Sequence, residues 1–510
     1  MSLSRFLPLV RTFRLGAIVA AVAVLPVQNA SAQSDGATIR QQVAGWWQDA
    51  SRLAPGNWGV AIADDQGSII WSMEPDQPLI PASTVKLFTT GFARSVLGSD
   101  ARRATRVVGE GHLDRASGQW VGDWALELNG DVTLERGAGY GPSLFDLARQ
   151  MHAQGIRRIH GPFEVRSAEG TANAIWPSVW APRHRGRLFA PLIGPVTLNE
   201  NVVSFTVRPG ARTGQKVRLT MAAPEGVGTL LKITATTVAG SRSRLRFTAQ
   251  PNGSWVISGT LGVRAGARQY GAAANNPKLV LEAVWASALE RAGIEWNRSE
   301  TAVPADAPIR ILAEVTSPPL DSVASEVNRR SLNIGAELLL QWAAGRGSGA
   351  SEALTQHVRS VTGGTWPVHL VDGSGLSYED RVAPATFVSY LARFPTMAAG
   401  RNFPLLLPAN GSGTLKRLAA GLPETGVVRA KTGTLNHVTT VVGYLGRPEG
   451  VLIVSLMYNG QKTSAARQQQ WELFRMLGAD GVVIPAVSDS TAGLDVQLGG
   501  DEAVPGPLSR

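Results

Sequence analysis

The stretch "PASTVKLFTTGFARSVLG", residues 81–98, decides how the rest of the chain is read. It predicts a helix. Pro81 suits a first turn and Gly98 a C-terminal stop. Ser83 and Lys86 then stand at i and i+3, on one face and at the helix N-terminus. Lysine is scarce: the chain has seven, Lys86, Lys216, Lys232, Lys278, Lys416, Lys431 and Lys462, and arginine supplies the rest of the basic charge. A serine hydroxyl is a poor nucleophile until a neighbour takes its proton. A buried lysine can take it, because desolvation disfavours the charged amine. A helix N-terminus also favours an oxygen that becomes negative. The plain alternative is a capping serine beside a surface lysine, and one Ser-x-x-Lys does not decide between the two.

Upstream, "NWGVAIAD" (57–64) and "SIIWSM" (68–73) read as two strands joined by "DQG". From about 106 to 314 the texture changes to short alternating segments such as "WALELNGD", "NVVSFTV", "KVRLTM" and "RLRFTAQ", punctuated by Gly and Pro. That predicts mainly β structure. Helical patterns return in "PLDSVASEVNRR" (319–330), "NIGAELLLQWAAG" (333–345) and "PATFVSYLARF" (384–394). Three strands follow, "GVVRAKTG", "HVTTVVGYLG" and "VLIVSLMYN", with connections short enough for an antiparallel meander. A last helix is expected over "QQQWELFRMLG". The fold expected is an α/β (α+β) domain with an antiparallel sheet and helices. Its two parts, 37–105 and 315–485, are separated by a mainly β insertion of one or two subdomains over 106–314. The insertion is expected to be dispensable for the chemistry.

The two ends read differently. Arg5, Arg11 and Arg14 precede the apolar run "LGAIVAAVAVLPV" and then "NASAQ", with Ala30 and Ala32 in a small-x-small arrangement. This is the pattern of a secretory signal peptide over 1–32. The run is shorter than the roughly 20 residues that span a bilayer. A periplasmic or extracytoplasmic protein is expected, with no transmembrane segment after cleavage. The acidic Gly/Ser/Pro-rich stretch 486–510 reads as a flexible tail. With no cysteine in 510 residues there is no disulfide, thiol nucleophile or thiolate metal site. The seven histidines show no metal-binding spacing, so no metal or cofactor is expected. His184 in "PRHRGR" reads as a solvated loop residue. The formal charge of +10, about +7 without the three leader arginines, suits an anionic polymer such as a cell wall. No nucleic-acid module is present.

Two further stretches settle the reading of Ser83 and Lys86. "RRSLNIGAELL" holds Ser331 and Asn333 as Ser-x-Asn, and "RAKTGTLNHV" holds Lys431, Thr432, Gly433 and Thr434. Ser-x-x-Lys, Ser-x-Asn and Lys-Thr-Gly, in this order, are the set shared by penicillin-binding proteins and serine β-lactamases. "NGDVTL" (129–134), with Val132 where a proline is usual, "LNENVV" (198–203), "DGSGLS" (372–377) and "LPANGSGTLKRL" (407–418) extend the match. From about residue 40 to 480 the chain resembles the D-alanyl-D-alanine carboxypeptidase/endopeptidase family, the low-molecular-mass class C penicillin-binding proteins with a large insertion.

The resemblance implies an exported serine D-Ala-D-Ala carboxypeptidase, with DD-endopeptidase action on cross-links left open. Its partners would be peptidoglycan peptides ending in D-Ala-D-Ala, with β-lactam antibiotics as covalent inhibitors. By the same resemblance Ser83 is the nucleophile and Lys86 its base. Ser331 relays a proton, and Asn333 holds Lys86 and the substrate amide. Lys431, Thr432, Gly433 and Thr434 bind substrate. "DGSGLS" is expected to be structural, as is Glu200 in "LNENVV". Two alternatives stay open: a serine β-lactamase, and a non-catalytic penicillin-sensing or wall-binding protein. Ser331 follows Ser83 by 248 positions (331 − 83), more than a compact β-lactamase accommodates, and no deacylating glutamate is evident. The intact set of polar residues argues against a non-catalytic protein.

Overall fold

The structure, a computed structural model, describes residues 28–486 apart from 138, 169, 299–307 and 348. Nearly all of the expected leader and of the acidic tail lie outside the described residues. Five strands form the principal sheet: β1 (Asn57–Ala63), β2 (Ile69–Met73), β3 (Val428–Leu435), β4 (Val438–Arg447) and β5 (Gly450–Asn459). Their spatial order is β3-β4-β5-β1-β2, with every pairing antiparallel. Distant parts of the chain are therefore joined through β1 and β5, in register from Asn57↔Asn459 to Ala63↔Ile453.

Alternation explains why both faces of this sheet are covered. Val60 and Ile62 on β1 join one buried cluster with Leu452, Val454 and Leu456, while Ala61 and Ala63 join another with Ile453 and Met457. Side chains two apart share a face, and here both sets are apolar. Helices α1 (Gln28–Leu53) and α7 (Thr463–Leu477) cover the first face. The second is covered by α2 (Val85–Leu97), α3 (Leu320–Arg330), α4 (Asn333–Ala344), α5 (Ala350–Thr362) and α6 (Pro384–Arg393). Phe88 of α2 stacks on Phe387 of α6 with ring centroids 4.7 Å apart. Such a pair contributes about 1 kcal/mol beyond its burial and fixes the helix that follows Ser83.

The inserted chain leaves and returns at one place. Strand Ala104–Asp114 pairs antiparallel with Ile309–Thr316, beginning at Ala104↔Thr316. These two strands belong to a six-stranded sheet, and two smaller sheets follow. Helices Leu144–Ala153 and Pro277–Arg291 pack into the core of this part beside Trp120, Trp124 and Trp285. The insertion does not pack apart from the parts that flank it. Val132, Trp180, Ala190 and Ile193, all inserted residues, are buried in the same cluster as α2 and α4. The loop carrying the last three packs back against α2 and α4.

Candidate active site

Four segments far apart in sequence converge where the free edge of β3 meets the start of α2. Ser83 lies in a 3-10 turn, Ala82–Thr84, that runs directly into α2. Ala82 is buried in a left-handed conformation, φ 49°. That conformation is uncommon for a residue with a side chain and is held by its surroundings. Thr84 Oγ1 donates to Pro81 O at 2.7 Å and Thr440 Oγ1 donates to the same carbonyl at 2.8 Å, tying the turn to β4. Gly433 is required on β3. A Cβ there would collide with Thr440 and with Pro81 O, so only glycine lets the strand approach this turn.

Lys86 Nζ donates to Ser83 Oγ at 3.0 Å, to Asn333 Oδ1 at 2.7 Å and to the carbonyl of Ser374 at 2.6 Å. All three acceptors are neutral and the side chain is wholly buried. Burial pulls its amine down to about 7, against smaller opposing effects of Asp372, Glu337 and Asp380. Two of those carboxyls are themselves perturbed. Burial, then the charge of Asp372, raises Glu337 to about 8, and the same causes hold Asp380 well above the carboxylate range. Burial thus opposes charge on Glu337, Asp380 and Lys86 alike.

Asp372 organises "DGSGLS". It accepts from the backbone N–H groups of Ser374, Gly375, Leu376 and Ser377, and from Trp180 Nε1 at 3.1 Å. The loop so formed presents Ser374 O to Lys86 and Gly373 O to Thr89. Gly375, at φ +72°, packs directly on Ala82 O.

Ser331 stands between α3 and α4 in a left-handed conformation, φ 61°. Lys431 Nζ donates to Ser331 Oγ at 2.9 Å and to Thr432 O at 2.7 Å. Burial, then Lys86 and Arg467, push the Lys431 amine well below its ordinary value. Asn333 donates through Nδ2 to Phe189 O of the inserted loop at 2.8 Å. Glu200 is remote from these groups in role: it pairs with Arg136 and Arg330, and Arg330 immediately precedes Ser331. Ser83, Lys86 and Asn333 are therefore joined in one hydrogen-bonded group, and Ser331 and Lys431 in a second. Thr432 is buried on β3 and Thr434 is exposed near its end.

Sequence reasoning missed the carbonyls of Ser374 and Phe189, the carboxyl group of Glu337, and Arg467 on α7. Arg467 donates to Gly433 O at 2.8 Å and to Thr440 O at 3.0 Å. Nothing in its local sequence distinguishes it from a surface arginine. At the rim, Tyr378 accepts from the Asn436 N–H at 3.1 Å, with Arg183 over its ring and His184 stacked beside it. His184 is half-buried and not fully solvated. Among the described residues no group of His, Asp or Glu is arranged to hold a metal, and no helix is long and apolar enough to cross a membrane.

An antiparallel sheet backed by a helical layer, with a serine beside a buried lysine at their junction, defines a penicillin-binding type of serine hydrolase. Residues 39–478 match the D-Ala-D-Ala carboxypeptidase 3 (S13) family, and the chain belongs to it. It is a serine-type D-Ala-D-Ala carboxypeptidase. It is 29% identical over 435 residues to a D-alanyl-D-alanine carboxypeptidase of Actinomadura sp. (strain R39), covering 80% of this chain and 78% of the other. The D-alanyl-D-alanine carboxypeptidase DacB of Haemophilus influenzae is 23% identical, over 80% of this chain and 84% of its own. Among solved structures, penicillin binding protein 4 from Haemophilus influenzae superposes with a TM-score of 0.64 at 21% identity, covering 84% of this chain and 98% of that one. The same protein in complex with a β-lactam gives 0.62 at 21% identity, covering 84% and 99%.

Proposed function

We propose that this chain is exported and removes the terminal residue from peptidoglycan peptides ending in D-Ala-D-Ala, through an acyl-enzyme on Ser83. One observation carries this reading: Ser83 Oγ lies 3.0 Å from a buried amine whose own value falls to about 7. Neutral Lys86 takes the hydroxyl proton as Oγ bonds to the penultimate D-Ala carbonyl carbon. The N–H groups of Ser83 and Thr434 receive the oxyanion. As it collapses the amide C–N bond breaks. Ser331 hands its hydroxyl proton to the departing amine and recovers one from Lys86, across the gap that separates the two hydrogen-bonded groups in the free enzyme. Water then adds to the ester, its proton passes to Lys86, and the Ser83 Oγ–C bond breaks. The shortened peptide leaves as a carboxylic acid, and Ser83 recovers its proton.

Asn333 holds Lys86 and the substrate amide. Lys431, Thr432 and Thr434 receive the carboxylate of the leaving residue, and Gly433 lets β3 come close enough. An arriving carboxylate raises the depressed Lys431 amine, because opposite charge favours the protonated form. The same leaving-group feature occurs in a cross-link, so DD-endopeptidase action uses this chemistry as well. The reading divides the chain at about 106 and 314, with the catalytic groups on both flanks. It also makes β-lactams covalent inhibitors, which the β-lactam complex of the Haemophilus influenzae protein supports.

The test is intact-mass analysis after exposure to penicillin. One long-lived adduct is expected, absent in Ser83→Ala, together with D-Ala release from a D-Ala-D-Ala peptide and none from its L-Ala-L-Ala counterpart. An adduct persisting in Ser83→Ala would remove the nucleophile. Rapid multiple turnover of penicillin without D-Ala release would make the enzyme a β-lactamase.

A further inference from the structure

Arg467 is placed where a plain surface arginine has no reason to be. It is partly buried on α7, its guanidinium lies 4.9 Å from the centre of the Trp471 ring, and its hydrogen-bonding partners are neutral: Gly433 O at 2.8 Å, Thr440 O at 3.0 Å and, more distantly, Thr434 Oγ1 at 3.4 Å. Among the described residues no carboxylate lies within ion-pair distance of it. Burial pulls the group down to about 9, which still leaves it cationic at neutral pH.

The direction of the contact matters. Gly433 and Thr440 face each other across the β3–β4 ladder. The Ala430 N–H donates to Pro408 O at the free edge, so by alternation the Gly433 carbonyl faces β4, and Arg467 donates to it and to Thr440 O. In a trans peptide the C=O and the N–H point opposite ways. The peptide joining Gly433 to Thr434 therefore turns its carbonyl towards β4 and Arg467. It turns its N–H, that of Thr434, to the free edge of β3, one residue beyond Gly433, which itself packs against Pro81 and Ala82. Apart from a bridge between Ala409 and Arg429, β3 pairs only with β4 among the described residues, so this N–H is open to a ligand.

We infer that Arg467 is a positioning residue for the acyl transfer: its guanidinium, bound to Gly433 O, polarises the Gly433–Thr434 peptide and strengthens the Thr434 N–H as an oxyanion donor. A cation on a carbonyl withdraws electron density through the amide, so the N–H at the other end carries more positive charge. Hydrogen bonds in a chain reinforce one another in this way inside a low-dielectric site. The same contact holds the strand end at the distance the oxyanion requires, where donor placement matters most. The effect is greatest when charge develops on the substrate oxygen and small in the ground state.

This inference rests on the Ser83 acyl-enzyme reading above, and its test separates the two. Arg467→Met keeps bulk and removes the donor. Acylation of Ser83 by penicillin should slow about tenfold, part of the 10²–10³ that a whole oxyanion donor supplies. The kcat for a D-Ala-D-Ala peptide should fall by a similar factor with KM little changed. The infrared band of a penicilloyl ester labelled at its ester carbonyl should move to higher frequency, because a weaker donor polarises it less. Arg467→Lys, which keeps a cation, should recover part of both. A folded Arg467→Met with wild-type acylation and an unmoved ester band would overturn the inference while leaving the parent reading intact. Should Arg467→Met fail to fold, the same two measurements on Arg467→Lys decide, and an unmoved band with unchanged rate overturns it. Failure of both variants to fold would make the arginine a structural tie and overturn it too. A wild-type enzyme without an adduct on Ser83 would overturn both readings.

Discussion

An ammonium moved from water into the Lys86 site loses hydration that three neutral acceptors replace only in part. Its low value of about 7 therefore has consequences for rate and stability together. Acylation of Ser83 should rise with pH through about 7 and then level off, since in the proposed mechanism the neutral amine is the base. A stopped-flow pH profile with penicillin checks this, and a flat profile would point to another base. Lys86→Met should slow acylation roughly 10²- to 10⁴-fold and yet stabilise the fold. The sign follows from linkage: between about 7 and the ordinary 10.5 the unfolded chain binds more protons than the folded one. Stability of the wild type thus rises with pH across that window. The gain from Lys86→Met should be largest at and below about 7 and fade towards the upper limit, as thermal melts at several pH values would show. Ser83, Lys86, Ser331, Asn333 and Lys431 were legible in the sequence because each needs a specific functional group at a fixed local spacing. Arg467 and Glu337 were not, because their significance comes from what the fold brings against them, and one arginine on an amphipathic helix resembles the next.

At the scale of elements, the turn between α3 and α4 is a constrained piece of backbone at the site. Ser331 adopts φ 61°, and the residue before it, Arg330, is held by Glu200 together with Arg136. Glu326 on α3 joins the same group through Arg136. These side chains are largely shielded from water, so removing the central carboxylate leaves two guanidiniums poorly matched. Glu200→Gln should cost roughly 3 kcal/mol of stability and lower kcat for the D-Ala-D-Ala peptide, because the turn that holds Ser331, the proton relay of the proposed mechanism, loses its tie. Denaturation midpoints and steady-state kinetics check both. A destabilised enzyme with unchanged kcat would confine the network to packing. Several elements escaped the sequence reading for identifiable reasons. The helix Leu144–Ala153 carries a capping box between Ser143 and Asp146, and Pro277–Arg291 begins with Asn276 as its cap and a proline in its first turn. Both signals were present, but short β segments on either side set the texture of the region. The strands β3, β4 and β5 were legible because their β-rich runs are long and separated by short turns.

For the molecule as a whole, the question is whether the inserted part is cargo or scaffold. Its ends are adjacent, Ala104 opposite Thr316, so a short linker in place of 106–314 closes without strain. What such an excision removes is burial. Val132, Trp180, Ala190 and Ile193 would leave the core that holds α2 and α4. Burying one large apolar side chain contributes about 1.5–3 kcal/mol, and Trp180 and Ile193 alone reach a substantial share of the roughly 5–15 kcal/mol that holds a typical domain together. Polar ties go as well: Trp180 Nε1 to Asp372, and Phe189 O to Asn333. Asp372 shapes the loop whose Ser374 carbonyl binds Lys86, so loss of the insertion is felt at Lys86 itself. The excised chain is therefore expected to melt far below the full-length enzyme or not to fold, and to react slowly with penicillin where it does. Trp180→Phe separates the two contributions. It keeps most of the packing, gives up one hydrogen bond worth about 1 kcal/mol, and should lower the melting temperature modestly while slowing acylation. An excised chain that melts cooperatively within a few degrees of the full-length enzyme and labels with penicillin at the same rate would show that these contacts carry neither stability nor catalysis.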